Sequence, residues 1–228
     1  MIGFYNYTVI LTYLSLAISM FGITQVMEGN FRTALMCLAL SGLCDMFDGK
    51  IARRKKDRTA DEKLFGLQID SLCDVVCFGA FPAIFCYYLG VRGPLGIAAV
   101  SFYAICAVIR LGFFNVLETN RQATEEGANK FYFGLPVTSI AIILPITYLL
   151  NFIVNENIFR WILFALSIIV GIFFILNFKL RKPSNTTLTV LVIIVGIATL
   201  LIVGFSKKYH VELPGFFERS LFSFFSGE

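Results

Sequence analysis

The chain has 228 residues, of which 57% are hydrophobic and only 15% are charged, whereas a soluble domain carries about 25% charged residues. This composition excludes an ordinary soluble domain, and it is equally unlike a disordered or fibrous chain. The charges are also unevenly placed, because twelve of them fall between Asp45 and Lys63 while long windows elsewhere contain none. A bilayer-spanning helix needs about 20 mostly apolar residues. The sequence therefore predicts an all-α polytopic membrane protein with one dense polar region.

The apolar windows predict seven membrane-spanning helices, at residues 7–27, 31–52, 65–90, 93–117, 134–154, 158–178 and 184–206. We expect residues 1–178 to form a six-helix core and residues 179–228 to add a further span and a tail. The aromatic, amphipathic stretch 216–225 is expected to lie in the membrane interface. Lys207 and Lys208 directly follow the last span, so an eighth element that returns the chain stays open as an alternative.

Lysine and arginine residues mark one side of the predicted bundle. They concentrate in the loops 53–64, 118–133 and 179–182, which alternate with loops that carry little charge. The positive-inside rule places these three loops, and the N-terminus, on the cytoplasmic side of the cell membrane. The net charge of +4 is explained by this bias. We expect no nucleic-acid partner, because no basic tract is interleaved with aromatic residues.

Two pairs of acidic residues lie near the cytoplasmic ends of the second and third spans. Asp45 and Asp48 are spaced i, i+3, and Asp70 and Asp74 are spaced i, i+4, so each pair shares one helical face. Because consecutive spans pack antiparallel, the two pairs can face each other. Four carboxylates would repel strongly at this depth, which favours a bound cation. The alternative is that the acids are helix-end charges paired with neighbouring bases, namely Lys50, Arg53 and Lys63.

Oxygen ligands of this kind suit Mg²⁺, Mn²⁺ or Ca²⁺, and two such ions would use four acids in phosphoryl chemistry. Small residues flank the acids at Gly49, Ala52 and Gly66. They leave a slot beside the carboxylates, although small residues also serve close helix packing. Arg53 lies one turn beyond Gly49 and can hold a phosphate in a bidentate manner, or it can be a charge at the membrane flank.

The residues of both helices combine into one motif, Asp45-x2-Asp48-Gly49-x2-Ala52-Arg53…Gly66-x3-Asp70-x3-Asp74. This motif resembles the signature of the CDP-alcohol phosphotransferase family. It departs from it in one respect, because twelve residues separate Arg53 from Gly66 where the family commonly has fewer. The longer loop resembles the phosphatidylserine synthase branch, as do the segments 66–72, 110–115 and 134–138. The resemblance covers roughly residues 5–178.

The resemblance implies a phospholipid-synthesising transferase, commonly a homodimer, that moves a phosphatidyl group from CDP-diacylglycerol to an alcohol and releases CMP. For this branch, the alcohol is L-serine. By motif position, Asp45, Asp48 and Asp70 would ligate divalent metal, and Asp74 would be a ligand, the general base or both. Contacts to the CDP moiety would come from Asp45, Gly49, Ala52, Arg53 and Gly66.

A serine substrate brings a carboxylate and an ammonium group that need partners. Arg110 lies inside the fourth predicted span, and a cation there is a candidate binding residue, although it can also snorkel or pair with Glu118. Asn115 and Lys130, in or near the loop that follows, are the other candidates for serine binding.

Two rival functions are compatible with the same acids, and a structural scaffold is a third alternative that the four-acid cluster disfavours. Transfer to glycerol phosphate or inositol phosphate would require more basic or hydroxyl groups around Arg110. A divalent-cation transporter could use the acids as a permeation site. However, no other predicted span holds an acid at mid-depth to continue the path.

Overall fold

The computed structural model describes residues 3–4, 7–55, 57, 59–124, 131–181 and 185–204. These residues are predominantly helical, which confirms the predicted all-α polytopic class. The eight α-helices of the described residues are α1 (Ile10–Met27), α2 (Phe31–Arg54), α3 (Ala60–Asp74), α4 (Phe81–Tyr88), α5 (Gly93–Thr124), α6 (Ile140–Leu149), α7 (Glu156–Ile175) and α8 (Asn185–Gly204). A π-helical segment, Val75–Ala80, joins α3 to α4. Short 3₁₀ turns precede α1 and flank α6.

Each of the seven predicted spans coincides with one helix or with a joined pair of helices. Among the described residues, four helical segments are long and apolar enough to cross a membrane: Ile10–Met27, Ala60–Tyr88, Gly93–Asn120 and Glu156–Ile175. Two shorter apolar helices lie at Val137–Phe152 and Thr189–Ile202. The remaining helix, α2, packs along α1 and carries the first acid pair towards its C-terminal end.

Two predicted boundaries were wrong. The third span begins at Ala60 rather than residue 65, because Thr59 and Glu62 form a capping box that satisfies the first turn of α3. Helix α5, the fourth predicted span, continues to Thr124 rather than ending at residue 117, so residues 118–124 of the predicted loop are helical. The tail from residue 205 onwards, including Lys207, Lys208 and the stretch 216–225, lies outside the described residues.

A proline, Pro82, lies just after the π-helical segment that follows Asp74. Pro82 lacks an N–H group, so it cannot donate the hydrogen bond that the Phe78 carbonyl, four residues earlier, would accept in an α-helix. The buried hydroxyl of Tyr103 on α5 donates to this carbonyl instead. A deformed turn within the third span is thereby anchored to α5, immediately beyond the acids.

A short β-ribbon, which the sequence did not indicate, joins two loops at the same end of the bundle as the acids. Strand β1 (Phe131–Phe133) pairs antiparallel with β2 (Lys179–Arg181). Gly134 follows β1 with a positive φ of 73°, a conformation that glycine adopts without strain. Its N–H donates to the Phe178 carbonyl at 2.8 Å. The chain segments before α6 and after α7 are therefore held together.

Buried aromatic rings hold the opposite end of the bundle. Phe85 contacts Phe31 and Tyr148 edge-to-face, with ring centroids 5.6 and 6.0 Å apart, and Tyr148 contacts Phe159 at 6.0 Å. These four side chains come from four different helices and are almost fully buried. Such edge-to-face pairs stabilise packing beyond the area they bury. They anchor the bundle far from the polar end.

We predict that Tyr103→Phe lowers the stability of the folded protein by about 1 kcal/mol, because the Phe78 carbonyl loses its phenol donor within the apolar bundle. Thermal unfolding in detergent micelles measures this change. Tyr7→Phe removes the hydroxyl group from an exposed side chain and should leave the melting temperature unchanged. Equal melting temperatures for Tyr103→Phe and the native protein would contradict the role assigned to this hydrogen bond.

Candidate carboxylate metal site

Three aspartates from two antiparallel helices converge at one end of the bundle. One carboxylate oxygen from each of Asp45 on α2 and Asp70 and Asp74 on α3 lies within 4.8 Å of the other two. Asp74 is 8% exposed, and the other two are half-buried. The i, i+4 spacing on α3 directs both of its acids towards α2. The facing arrangement expected from the sequence is therefore present.

Asp48 completes the group from one turn further along α2. Its side chain is 6% exposed, and it interacts electrostatically with Asp45 and Asp70. One of its oxygens, Oδ2, accepts a hydrogen bond of 3.1 Å from the hydroxyl of Thr12 on α1. Three helices therefore contribute to the surroundings of the four carboxylates.

The donor set fits a hard divalent cation. Oxygens that share one Ca²⁺ or Mg²⁺ ion bind it at about 2.0–2.6 Å, so they lie within roughly 4–5 Å of one another. The spacing of the Asp45, Asp70 and Asp74 oxygens meets this condition. Bringing these acids together in a poorly solvated place costs electrostatic energy, which a bound cation would offset.

The alternative, in which the acids pair with neighbouring basic residues, depends mostly on side chains that the structure does not describe. This holds for Lys50 and Arg53, whose backbones lie in the last turns of α2. Lys63 is exposed. In the basic loop, Lys55 pairs with Glu62 at 3.4 Å, so this pair stabilises the start of α3.

The small residues of the motif lie beside the acids. Gly49 directly follows Asp48 and is half-buried, and Gly66 lies one turn before Asp70 and is also half-buried. Ala52 is in the last turn of α2, and its side chain lies outside the described part. Because glycine has no side chain, these two positions add no bulk next to the acids on either helix.

Arg110 does not snorkel to the membrane surface. It is only 6% exposed, and its Nε donates to the Leu135 carbonyl at 3.3 Å. Its guanidinium also lies over the Phe114 ring, 6.0 Å from the centroid. The arginine therefore ties α5 to the segment between the β-ribbon and α6.

Asn115 lies closer to the acids than its position in the sequence suggested. Its Oδ1 accepts a 2.7 Å hydrogen bond from Ser71, the neighbour of Asp70, and its Nδ2 donates to Gln68 at 3.4 Å. Lys130, the third candidate for serine binding, lies outside the described residues.

Sequence reasoning missed three polar residues of this region, which are Thr12, Gln68 and Ser71. Gln68 and Ser71 flank Asp70 on α3, and their link to α5 depends on helix packing. Thr12 had one usable signal, which is that it shares one helical face with Ser15 and Ser19 in a mostly apolar span.

The fold and the site together define a helical membrane protein with a buried carboxylate cluster suited to divalent cations. Residues 5–173 match the family model described as CDP-alcohol phosphatidyltransferase. The match covers most of the chain, and the chain belongs to this family.

Relatives of known function have similar names. The chain is 33% identical over 112 residues to the CDP-diacylglycerol–serine O-phosphatidyltransferase of Saccharomyces cerevisiae, covering 48% of this chain and 39% of the relative. It is 31% identical over 133 residues to the enzyme of that name from Mycobacterium tuberculosis, covering 58% and 45%. It is 32% identical over 143 residues to the archaetidylserine synthase of Methanothermobacter thermautotrophicus, covering 62% and 57%.

The chain spans about half the length of the curated relatives it matches. No solved structure shows significant similarity to it.

We predict that Asp45→Asn weakens Mn²⁺ binding by at least about tenfold, because it removes the charge of one clustered carboxylate. Calorimetric titration of the purified protein in detergent measures the affinity. Asp61→Asn makes the same chemical change at an exposed position in the first turn of α3, so it should bind as the native protein does. Equal Mn²⁺ affinity in the native protein and Asp45→Asn would rule out this metal site.

Proposed function

We propose that this protein transfers the phosphatidyl group of CDP-diacylglycerol to the hydroxyl of L-serine, giving phosphatidylserine and CMP. The observation that carries the proposal is the convergence of Asp45, Asp70 and Asp74, with Asp48 beside them, in a member of the CDP-alcohol phosphatidyltransferase family. The names of the relatives support serine as the acceptor. The relative named archaetidylserine synthase keeps an ether-lipid donor as a variant of the same reaction.

The proposed reaction replaces the phosphoanhydride bond to CMP with an ester bond to serine at the same phosphorus. The serine hydroxyl oxygen bonds to the phosphorus that carries diacylglycerol, and the bond from that phosphorus to the CMP oxygen breaks. The electron pair of the broken bond leaves with CMP. Asp74, the most deeply buried of the three converging acids, accepts the proton of the serine hydroxyl.

The four aspartates would hold divalent metal, and we propose two ions, Mg²⁺ or Mn²⁺, with Ca²⁺ as a further possibility. When bound, such ions neutralise the diphosphate and the charge on the departing CMP. Asp45, Asp48 and Asp70 serve as ligands in this scheme. An oxygen of Asp74 lies close enough to those of Asp45 and Asp70 to share an ion with them, so Asp74 can bind metal as well as accept the proton.

Substrate contacts would surround the carboxylates. The lack of side chains at Gly49 and Gly66 would let the CDP moiety approach the backbone closely, and Asp45, Ala52 and Arg53 would also contact it. On the other side, Asn115 is joined to the neighbour of Asp70, which supports its assignment to serine.

Arg110 and Lys130 would contribute the positive charge for the serine carboxylate. Arg110 is buried on the helix that carries Asn115. Its hydrogen bond to Leu135 would hold the guanidinium in place before serine arrives.

The proposed setting is the cell membrane, with the reaction on the cytoplasmic side. The acids lie at the same end of the bundle as the basic segment 53–63, and the positive-inside rule places that end in the cytoplasm. Both proposed substrates fit this placement, since one is a membrane lipid and the other is a soluble amino acid. We further propose a homodimer, on the strength of the family resemblance.

Asp70→Asn is predicted to lower CMP release from CDP-diacylglycerol and serine by at least about a thousandfold, because a ligand next to the reacting phosphate loses its charge. Release of CMP from mixed micelles of lipid and detergent measures the rate. Asp61→Asn again serves as the matched control. Turnover of Asp70→Asn close to the native rate would refute the assignment of the acids.

The acceptor is tested by offering CDP-diacylglycerol with a panel of alcohols: L-serine, glycerol phosphate, inositol phosphate and inositol. We expect CMP release with L-serine and only background release with the other three. Faster release with a phosphorylated acceptor would overturn the serine proposal while preserving the family chemistry. Nucleotide-independent uptake of Mn²⁺ into liposomes containing the protein would instead favour a transporter.

We predict that Asn115→Ala raises the KM for serine by about tenfold or more and leaves the KM for CDP-diacylglycerol unchanged. The amide would lose its contact with serine, which costs the free energy of one or two polar contacts. Ser71→Ala breaks the same Ser71–Asn115 hydrogen bond but keeps the amide. If both variants raise the serine KM equally, Asn115 acts through helix packing and does not contact serine.

A further inference from the structure

A row of hydroxyl side chains runs along the face of α1 that packs against α2. Thr12, Ser15 and Ser19 lie on this face with helical spacing, and all three are at least nine-tenths buried. A hydroxyl in an apolar span bonds either to a carbonyl of its own helix or to a partner on a facing helix. The partners of these three side chains identify what the row does.

Two serines of the row lock α1 to α2 at one height. Ser41 of α2 is fully buried, and its Oγ accepts a 2.8 Å hydrogen bond from the hydroxyl of Ser19. The same Oγ lies 2.6 Å from the Oγ of Ser15. One turn further along α1, Gly22 lies so close to α2 and α4 that a Cβ atom would be 2.8 Å from Cys37 and 2.5 Å from Phe81. These contacts prevent α1 from sliding or rotating against α2.

The same register brings Thr12 opposite Asp48. The Thr12 hydroxyl donates to Asp48 Oδ2 at 3.1 Å, and both side chains are buried. The donor comes from α1, a helix that contributes none of the four acids. It therefore constrains the Asp48 carboxylate independently of α2 and α3.

We propose that Thr12 is a positioning residue for the metal site, holding Asp48 so that its carboxylate faces the Asp45, Asp70 and Asp74 cluster. This proposal rests on the metal-assisted reaction proposed above. The hydrogen bond occupies one carboxylate oxygen of Asp48, which leaves the other oxygen for a ligand bond. Hydrogen-bond partners of ligating carboxylates typically change metal affinity by 10–100-fold.

Thr12 can be tested with a pair of substitutions that separate its hydroxyl from its shape. Thr12→Val keeps the branched shape and removes the donor, whereas Thr12→Ser keeps the donor and removes a methyl group. We expect Thr12→Val to weaken Mn²⁺ binding by about tenfold or more and Thr12→Ser to bind within about threefold of the native protein. Calorimetric titration with Mn²⁺ alone, without nucleotide or lipid, gives this result independently of turnover.

Kinetics provide a second readout of positioning. For Thr12→Val, the Mn²⁺ concentration needed for half-maximal CMP release should rise by about tenfold, while kcat at saturating Mn²⁺ falls much less. The matched control is Thr147→Val, because the Thr147 hydroxyl donates to the Ile143 carbonyl within α6 and its loss should leave Mn²⁺ affinity unchanged.

A purely structural role would give the opposite pattern. Thr12→Ser would then be the weaker variant, and Thr12→Val would bind Mn²⁺ like the native protein, which would overturn the proposal. If Thr12→Val does not fold, Thr12→Cys takes its place, because a thiol is a poor donor, with the same expected loss of affinity. Native-like Mn²⁺ affinity in a folded Thr12→Cys would also overturn the proposal.

The outcome is separable from that of the proposed function. If the native protein binds Mn²⁺ and Thr12→Val weakens this binding, the positioning role stands even where serine yields no CMP. If serine yields CMP but Thr12→Val binds Mn²⁺ normally, the reaction stands and the positioning role is refuted.

Discussion

The structure depends on one costly requirement, which is to hold several carboxylates together where water is scarce. Asp45, Asp70 and Asp74 converge within 4.8 Å, and Asp48 lies beside them. Mutual repulsion and burial both act against this arrangement. Packing of the helices holds the carboxylates together, and a cation bound between the acids would offset the repulsion. Helices α1 and α5 contact the two acid-bearing helices and help to hold them in position.

Each neighbouring helix adds a fixed point around the acids. Helix α1 locks to α2 through buried hydroxyls, and α5 holds the third span through Tyr103 beyond the acids and Asn115 beside them. The far end of the bundle is held by packed aromatic rings around Tyr148. The polar end therefore does not have to stabilise the fold through its own apolar contacts, and it is left available for binding and chemistry.

Much of this could be predicted from the chain because the signals are local. Each of the seven apolar windows corresponds to one helix or to a joined pair of helices, since a bilayer imposes length and hydrophobicity on each helix. The i, i+3 and i, i+4 spacings of the acids follow from helix geometry alone. Two helix ends were misplaced. The start of α3 is set by the capping box at Thr59. The end of α5 at Thr124 was missed because its polar residues are compatible with either a loop or a helix.

The sequence by itself determined the membrane class, the acid motif and the family, because hydropathy and residue spacing are properties of short segments. Only the tertiary structure decided which partners the polar residues take. Thr12 meets Asp48, Ser71 meets Asn115, and Arg110 binds the Leu135 carbonyl. Each pair joins residues at least 25 positions apart, and the outcome depends on the rotation and height of one helix against another. Those quantities are set by packing across the whole bundle, which no local pattern encodes.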